Sequence, residues 1–201
     1  MPSIAAHIIC AKLIASKLKI NDDDFIKGNI LPDIINIPDS HRKIKGTHYY
    51  IPNIEFFLEK LDLNNNLQLG YLTHLLLDKY FLEDYIDKII NENEVFYSHI
   101  IYKEYDILNS HLLKKFNIDV SKLPLNFSND SIPINLVKYQ NNLKFLKTIK
   151  KEEKTKYLDI NHFSSFLINS SYKIAIIIQQ LKSNHVRTDT KKEAKRKLTK
   201  Y

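Results

Sequence analysis

The chain has 201 residues, among them only three glycines, six prolines, one cysteine and no tryptophan. Glycine lets a backbone approach phosphate closely in P-loop and dinucleotide-binding motifs, and neither motif is present. The single Cys10 excludes an internal disulfide, which favours a reducing compartment. The amino terminus resembles no signal peptide, and the apolar run from Ile174 to Ile178 is too short to cross a bilayer. We therefore expect a cytoplasmic protein without stable membrane insertion, whose oligomeric state the sequence leaves open.

Isoleucine, leucine, lysine and tyrosine are abundant instead, and alternating strand-like patterns are few. The sequence therefore predicts an all-α, single-domain bundle of about six to eight helices. We expect helices from Pro2 and Ser3 to about 18, after the aspartates at 22–24, near 55–61, and over about 67–90, 94–116, 134–150 and 161–182. The segments 29–51 and 117–133 contain prolines and are predicted to be irregular connections.

The net charge of +7 is unevenly distributed. Residues 182–201 contain eight Lys or Arg and two acidic residues, so they carry +6 and the rest of the chain about +1. We therefore divide the chain into a helical domain at 1–183 and a basic C-terminal tail at 184–201. Such a tail can attract nucleic acid or anionic lipid. A solvated terminus is the simpler interpretation.

His74 and Asp78 are the most informative pair in the chain. They lie four residues apart in an apolar segment, GYLTHLLLD from residue 70, so a helix would place both on one face. A buried carboxylate is costly unless a positive group is bonded to it, and a metal ion supplies such a charge. A hydrogen-bonded core pair is the alternative.

Three further candidate ligands precede this pair: His7 on the first helix, Asp33 directly after Pro32, and His48 between a threonine and a tyrosine. We predict that Asp33, together with His48, His74 and Asp78, binds one divalent ion, and that His7 brings a second ion sharing Asp78. Zn is the first choice, with Fe, Mn or Ni as alternatives. Asp33, expected in a loop, is also the candidate to orient or deprotonate the attacking water.

A stripe at helical spacing adds weaker candidates downstream. Asp106 is a possible further metal ligand, and Tyr102 and Asn109 are possible substrate contacts. Glu83 and Asp84, which follow the His74 segment, are expected to face solvent.

Four segments together resemble the zinc-dependent phospholipase C family: the opening MPSIAAH, GNILPD from residue 28, TH at 47–48 and GYLTHLLLD from residue 70. The resemblance covers roughly the first 85 residues. It implies an all-helical fold, shared with single-strand-specific nucleases, that holds three zinc ions. It also implies that Asp33, His48, His74 and Asp78 hold one zinc, and that Asp78 bridges to a second zinc bound by His7.

The chain departs from that family in two places. Secreted members use a freed N-terminal amine and a tryptophan as ligands, whereas this sequence has no tryptophan and is expected to carry no signal peptide. Members also carry a histidine shortly after the bridging aspartate and then an H-x-x-x-E pair. Here His99 and His111 are each followed four residues later by lysine. We therefore expect a reduced site with one or two metals.

The resulting expectation is a metal-dependent phosphoester hydrolase, specifically a phosphodiesterase in which metal-bound hydroxide attacks phosphorus. A nucleotide or a short nucleic acid strand suits the expected compartment better than membrane phospholipid. The main alternative is a non-catalytic, metal-stabilised helical module whose basic tail binds nucleic acid or protein. A second alternative is a redox enzyme, such as an oxygenase, with iron in the same ligands.

Overall fold

The computed structural model describes residues 2–21, 23–34, 54, 58, 61–86, 89, 97–123, 135–148 and 153–198, with main chain alone at 97–103 and 185–198. The described part is an all-α, single-domain bundle without strands, which confirms the predicted fold class. Its helices are α1 (Ile4–Leu18), α2 (Asp23–Ile34), α3 (Asn66–Tyr80), α4 (Tyr97–Lys115), α5 (Leu136–Thr148) and α6 (Ile160–Leu198). A π-helix (Phe81–Ile86) and a 3-10 turn (Val120–Lys122) complete them.

Two predicted helix starts have side-chain caps. Ser3 precedes α1, and its hydroxyl accepts a hydrogen bond from the amide of Ala6 at 3.3 Å. Asn65 precedes α3, and its side chain accepts from the amide of Gln68 at 3.1 Å. Each cap satisfies an amide that the first helical turn leaves without a partner. The caps thereby fix where the helices carrying His7 and His74 begin.

Helices α2 and α3 cross in direct backbone contact, and two glycines make this contact possible. A Cβ atom at Gly28 would overlap the carbonyl oxygen of Leu67, and one at Gly70 would overlap that of Phe25. The two backbones therefore touch where they cross, which only residues without a side chain permit. This contact fixes the position of α2 along the axis of α3.

The prediction for residues 29–34 is wrong. Pro32 lies inside α2, and Asp33 is therefore a helical residue of that element, not a loop residue. Proline removes one hydrogen bond of the helix. Burial of Ile30, Leu31 and Ile34 against the rest of the bundle compensates for this loss.

Two other helix boundaries also differ from prediction. The helix from 67 was expected to continue to about 90, but regular α-helix ends at Tyr80 and gives way to the π-helix. Glu83 and Asp84 on that segment face solvent, as expected, and Asp84 pairs with Lys173 at 3.0 Å. The last helix was expected to end near 182, yet its backbone continues to Leu198 and so runs into the basic segment.

Helix α1 lies at the centre of the bundle. Ile9, Cys10 and Ile14 pack into one apolar cluster with α6, whereas Ala5 and Ile8 pack into a second cluster with α2. A helix that is apolar on all sides is a buried helix. Any polar side chain on α1 at this level is therefore enclosed. None of the helices in the described part is long and apolar enough to span a membrane.

Candidate metal centre

Three side chains from two helices meet in the interior. His7 comes from α1, and His74 and Asp78 come from successive turns of α3. The Nε2 atom of His7 lies 3.3 Å from Oδ1 of Asp78, and the Nε2 atom of His74 lies 3.3 Å from Oδ2 of the same carboxylate. The carboxylate therefore faces one imidazole with each oxygen.

The two imidazole rings stack on each other. Their centroids are 3.7 Å apart and their planes differ by 6°. All three side chains have an exposed fraction of 0%, and a ligand atom of each lies within 4.8 Å of those of the other two. We call His7, His74 and Asp78 the His–His–Asp cluster.

His74 has a further contact that fixes its orientation. Its Nδ1 atom lies 2.7 Å from the main-chain carbonyl oxygen of Asn29 on α2. A carbonyl only accepts, so Nδ1 carries the proton and donates it. The opposite nitrogen, Nε2, then faces Asp78. A ligating histidine commonly donates its second nitrogen to a carbonyl in this way.

Burial and mutual charge shift the three pKa values in different directions. Burial and the neighbouring His74 lower the pKa of His7, so it is held in its neutral form. Burial alone would lower the pKa of His74, but the charges of Asp78 and Asp33 raise it overall. Burial alone would raise the pKa of Asp78, but the two histidines lower it overall, so it is ionised. Asp78 and His7 are thus in the ionised and neutral forms that bind metal, whereas a protonated His74 must first lose a proton.

The spacing of the cluster fits a divalent ion. Tetrahedral zinc has ligand bonds of about 2.0–2.1 Å, which places two ligand atoms about 3.3–3.4 Å apart. Both nitrogen-to-oxygen distances are 3.3 Å, which is longer than the usual hydrogen bond of about 2.9 Å. The donor set of two imidazoles and one carboxylate is also one that zinc accepts. The cluster can therefore hold a metal ion.

Asp33 lies near the cluster without joining it. It is partly buried on α2, and it is not part of the group whose ligand atoms lie within 4.8 Å of one another. Its negative charge contributes to the raised pKa of His74 and partly offsets the lowering of the His7 pKa. Its main-chain oxygen accepts a hydrogen bond from Lys138 at 2.7 Å.

Of the other predicted site residues, some lie in the part of the chain that the structure describes and some lie outside it. His48 and the side chain of Tyr102 lie outside the described residues. Asp106 is partly buried on α4 and is also not part of the cluster. Asn109 is buried and accepts a hydrogen bond from the hydroxyl of Ser3, which places it beside the start of α1.

Sequence reasoning missed Asn29. It is fully buried on α2, and its carbonyl holds His74. Its position directly after Gly28 and before an apolar run was the available signal, because a polar residue there must be buried if α2 continues. The irregular connection predicted for 29–51 concealed it.

No protein-family model, curated protein or solved structure matches this chain. The candidate centre therefore has to be interpreted from its own geometry.

Proposed function

We propose that this protein is a metal-dependent phosphoester hydrolase, specifically a phosphodiesterase, with zinc as the first-choice ion. The observation that carries the proposal is one buried carboxylate facing two imidazoles, at 3.3 Å from each, in a volume where all three side chains have an exposed fraction of 0%. A cation bound between the two imidazoles and the carboxylate would compensate the buried negative charge of Asp78.

The residues of the cluster have distinct roles in this proposal. His7, His74 and Asp78 would hold the ion, and Asp33 would orient or deprotonate the attacking water from α2. A bound divalent ion supplies a coordinated water with a pKa near 7 and neutralises charge developing on a phosphoryl group. His48 would complete the ligand set.

The order of the candidate residues also supports the proposal. His7, Asp33, His48 and the pair His74 and Asp78 follow the order found in the zinc-dependent phospholipase C family that the chain resembles. We propose a reduced member of that family with one or two ions. A soluble phosphodiester, such as a nucleotide or a short nucleic acid strand, is the proposed substrate class, and the cytoplasm the proposed compartment.

Hydrolysis of bis-p-nitrophenyl phosphate tests the activity. We expect turnover by the wild-type protein that a chelator abolishes, that zinc restores, and that His74→Ala removes. His162→Ala is the matched control, because His162 is an exposed histidine of α6 that is not part of the cluster. Turnover that survives both the chelator and His74→Ala would contradict the proposal.

One observation favours a second candidate, the non-catalytic module stabilised by its metal. A catalytic ion needs a coordination position open to substrate, whereas the cluster is fully enclosed. In that case the protein binds zinc tightly, its Tm rises with zinc, and a broad panel of phosphoesters gives no turnover. Elemental analysis of protein purified without added metal also separates zinc from the iron of a redox enzyme.

A further inference from the structure

Asn29 carries a buried carboxamide on α2. It is fully buried, and neither Oδ1 nor Nδ2 of its carboxamide has a hydrogen-bond partner among the described residues. A buried amide without partners costs stability, and native proteins retain few of them. Leucine has nearly the same shape and would avoid that cost. The retention of this carboxamide therefore indicates that it binds a ligand.

The position of Asn29 identifies which ligand is concerned. Its main-chain carbonyl contacts the His74 ring, so its carboxamide belongs to a residue directly beside the cluster. Asp33 follows one turn later on α2, and its charge acts on both histidines. Nδ1 of His7, whose ring stacks on His74, also has no hydrogen-bond partner among the described residues. Two residues that contact the His74 ring, Asn29 through its main chain and His7 through its ring, therefore have side-chain polar atoms without a hydrogen-bond partner among the described residues.

The chemistry of the amide narrows the ligand further. The carboxamide offers a donor at Nδ2 and an acceptor at Oδ1. A phosphoryl oxygen only accepts and would leave Oδ1 unsatisfied. A water molecule both donates and accepts, and buried waters typically make about three hydrogen bonds to such groups.

We infer that the carboxamide of Asn29 is the binding site of a buried water that also contacts the ion held by the His–His–Asp cluster. This rests on the proposed metal centre and adds to it a residue that fixes the water by hydrogen bonds. Asn29 thereby contributes twice: its main chain orients His74, and its side chain holds the water. The amide is retained for ligand binding at a cost to the metal-free fold.

The test compares Asn29→Leu and Asn29→Ala with wild type, and uses Asn109→Leu as the matched control. Asn109 is also a buried asparagine, but its Oδ1 accepts a hydrogen bond from Ser3. Every variant at position 29 keeps the main-chain carbonyl, so the contact with His74 is preserved. Thermal unfolding of chelator-treated protein gives the Tm, and competition with a chromophoric chelator gives the zinc affinity.

We expect metal-free Asn29→Leu to have a Tm about 2–4 °C above wild type, because an unsatisfied amide is removed, and Asn109→Leu to have a lower Tm. Zinc affinity should fall about tenfold in both variants at position 29. The inference is overturned if Asn29→Leu lowers the Tm as Asn109→Leu does, or if Asn29→Ala binds zinc within about twofold of wild type. A wild-type protein that binds no zinc overturns the proposed function as well, whereas normal zinc binding in the variants overturns this inference alone.

Discussion

The two sides of the His–His–Asp cluster are held by different means. On the α3 side, His74 shares a helix with Asp78, and its Nδ1 donates to the carbonyl of Asn29 at 2.7 Å. On the α1 side, His7 is placed by ring stacking and by its contact with Asp78, and its Nδ1 has no hydrogen-bond partner among the described residues. The α3 side is therefore preorganised more strongly, although both imidazoles lie at the same distance from the carboxylate.

Preorganisation of a ligand lowers the cost of binding a metal, since the side chain is already ordered in the required orientation. The difference between the two sides thus implies that the two histidines contribute unequally to zinc affinity. His74 should contribute more to zinc affinity than His7, whether the centre holds one ion or two.

The largest expected effect comes from His74→Ala compared with His7→Ala. Removing His74 should weaken zinc binding by about 100-fold or more, and removing His7 by about tenfold, because among the described residues only His74 has a carbonyl that orients its ring. Competition with a chromophoric chelator measures both affinities, and His162→Ala serves as the control. Equal losses in the two variants would contradict this unequal contribution.

Gly70→Ala should weaken the α3 side specifically. A Cβ atom there would overlap the carbonyl of Phe25, so α2 must move away from α3 and carry the Asn29 carbonyl with it. We expect a loss of about 1–3 kcal/mol in the free energy of unfolding together with weaker zinc binding. Denaturant unfolding measures the first quantity, and Ser16→Ala, at an exposed position of α1, is the control. An unchanged zinc affinity in Gly70→Ala would show that the helix crossing does not position His74.

The residues of the metal centre also show how much of the site could be predicted from the sequence. The pair His74 and Asp78 was recognisable because a fixed helical spacing and an apolar surround determine its face and its burial. The stacking of His7 on His74 was not, because it depends on how α1 and α3 pack, which no local pattern specifies. Asn29 could not be recognised in the same way because Pro32 predicts the end of a helix, whereas burial of the apolar residues around it keeps α2 helical.

The end of α6 is a second place where the sequence did not predict the structure: here a helix continues where its end was expected. The change to a basic composition after residue 182 was interpreted as the end of a helix. Lysine, arginine, alanine and glutamate are all good helix formers, so this change in charge does not interrupt the backbone, which remains helical to Leu198. Charge distribution identified a region of different composition there without identifying its conformation.

The number of protons released on zinc binding should distinguish the two histidines, and we expect this effect to be moderate in size. The pKa of His74 is raised above 6.5 and that of His7 is lowered below it, so at pH 6.5 His74 is mainly protonated and His7 neutral. Zinc must displace the proton from His74 only, and its affinity should fall as the pH falls through the raised pKa of His74. Calorimetric titrations in two buffers of different ionisation enthalpy should give about one proton released per ion. Release of about two protons would place both imidazoles in the charged form and contradict the assignment.

The smallest expected effect concerns the mobility of α1. Cys10 follows His7 by less than one turn, and its thiol is fully buried and lies 3.2 Å from the hydroxyl of Ser171. Burial raises the pKa of this thiol to about 12, so little thiolate forms at pH 8 and the folded protein should react slowly with a disulfide reagent. Zinc should slow the reaction a further few-fold, because it ties α1 to α3 through His7. Protein unfolded in guanidinium gives the reference rate, and a rate independent of zinc would mean that the ion does not restrain α1.

The metal content of the protein tests the central claim most directly. Wild type, Asp78→Asn and Asp84→Asn are exposed to zinc, passed through gel filtration and analysed for bound metal; Asp84 is the control because its carboxylate is exposed and lies outside the cluster. We expect at least one zinc per chain in wild type and in Asp84→Asn, and background levels in Asp78→Asn. Wild type without zinc, or Asp78→Asn with as much zinc as wild type, would contradict the account of a metal centre built on Asp78.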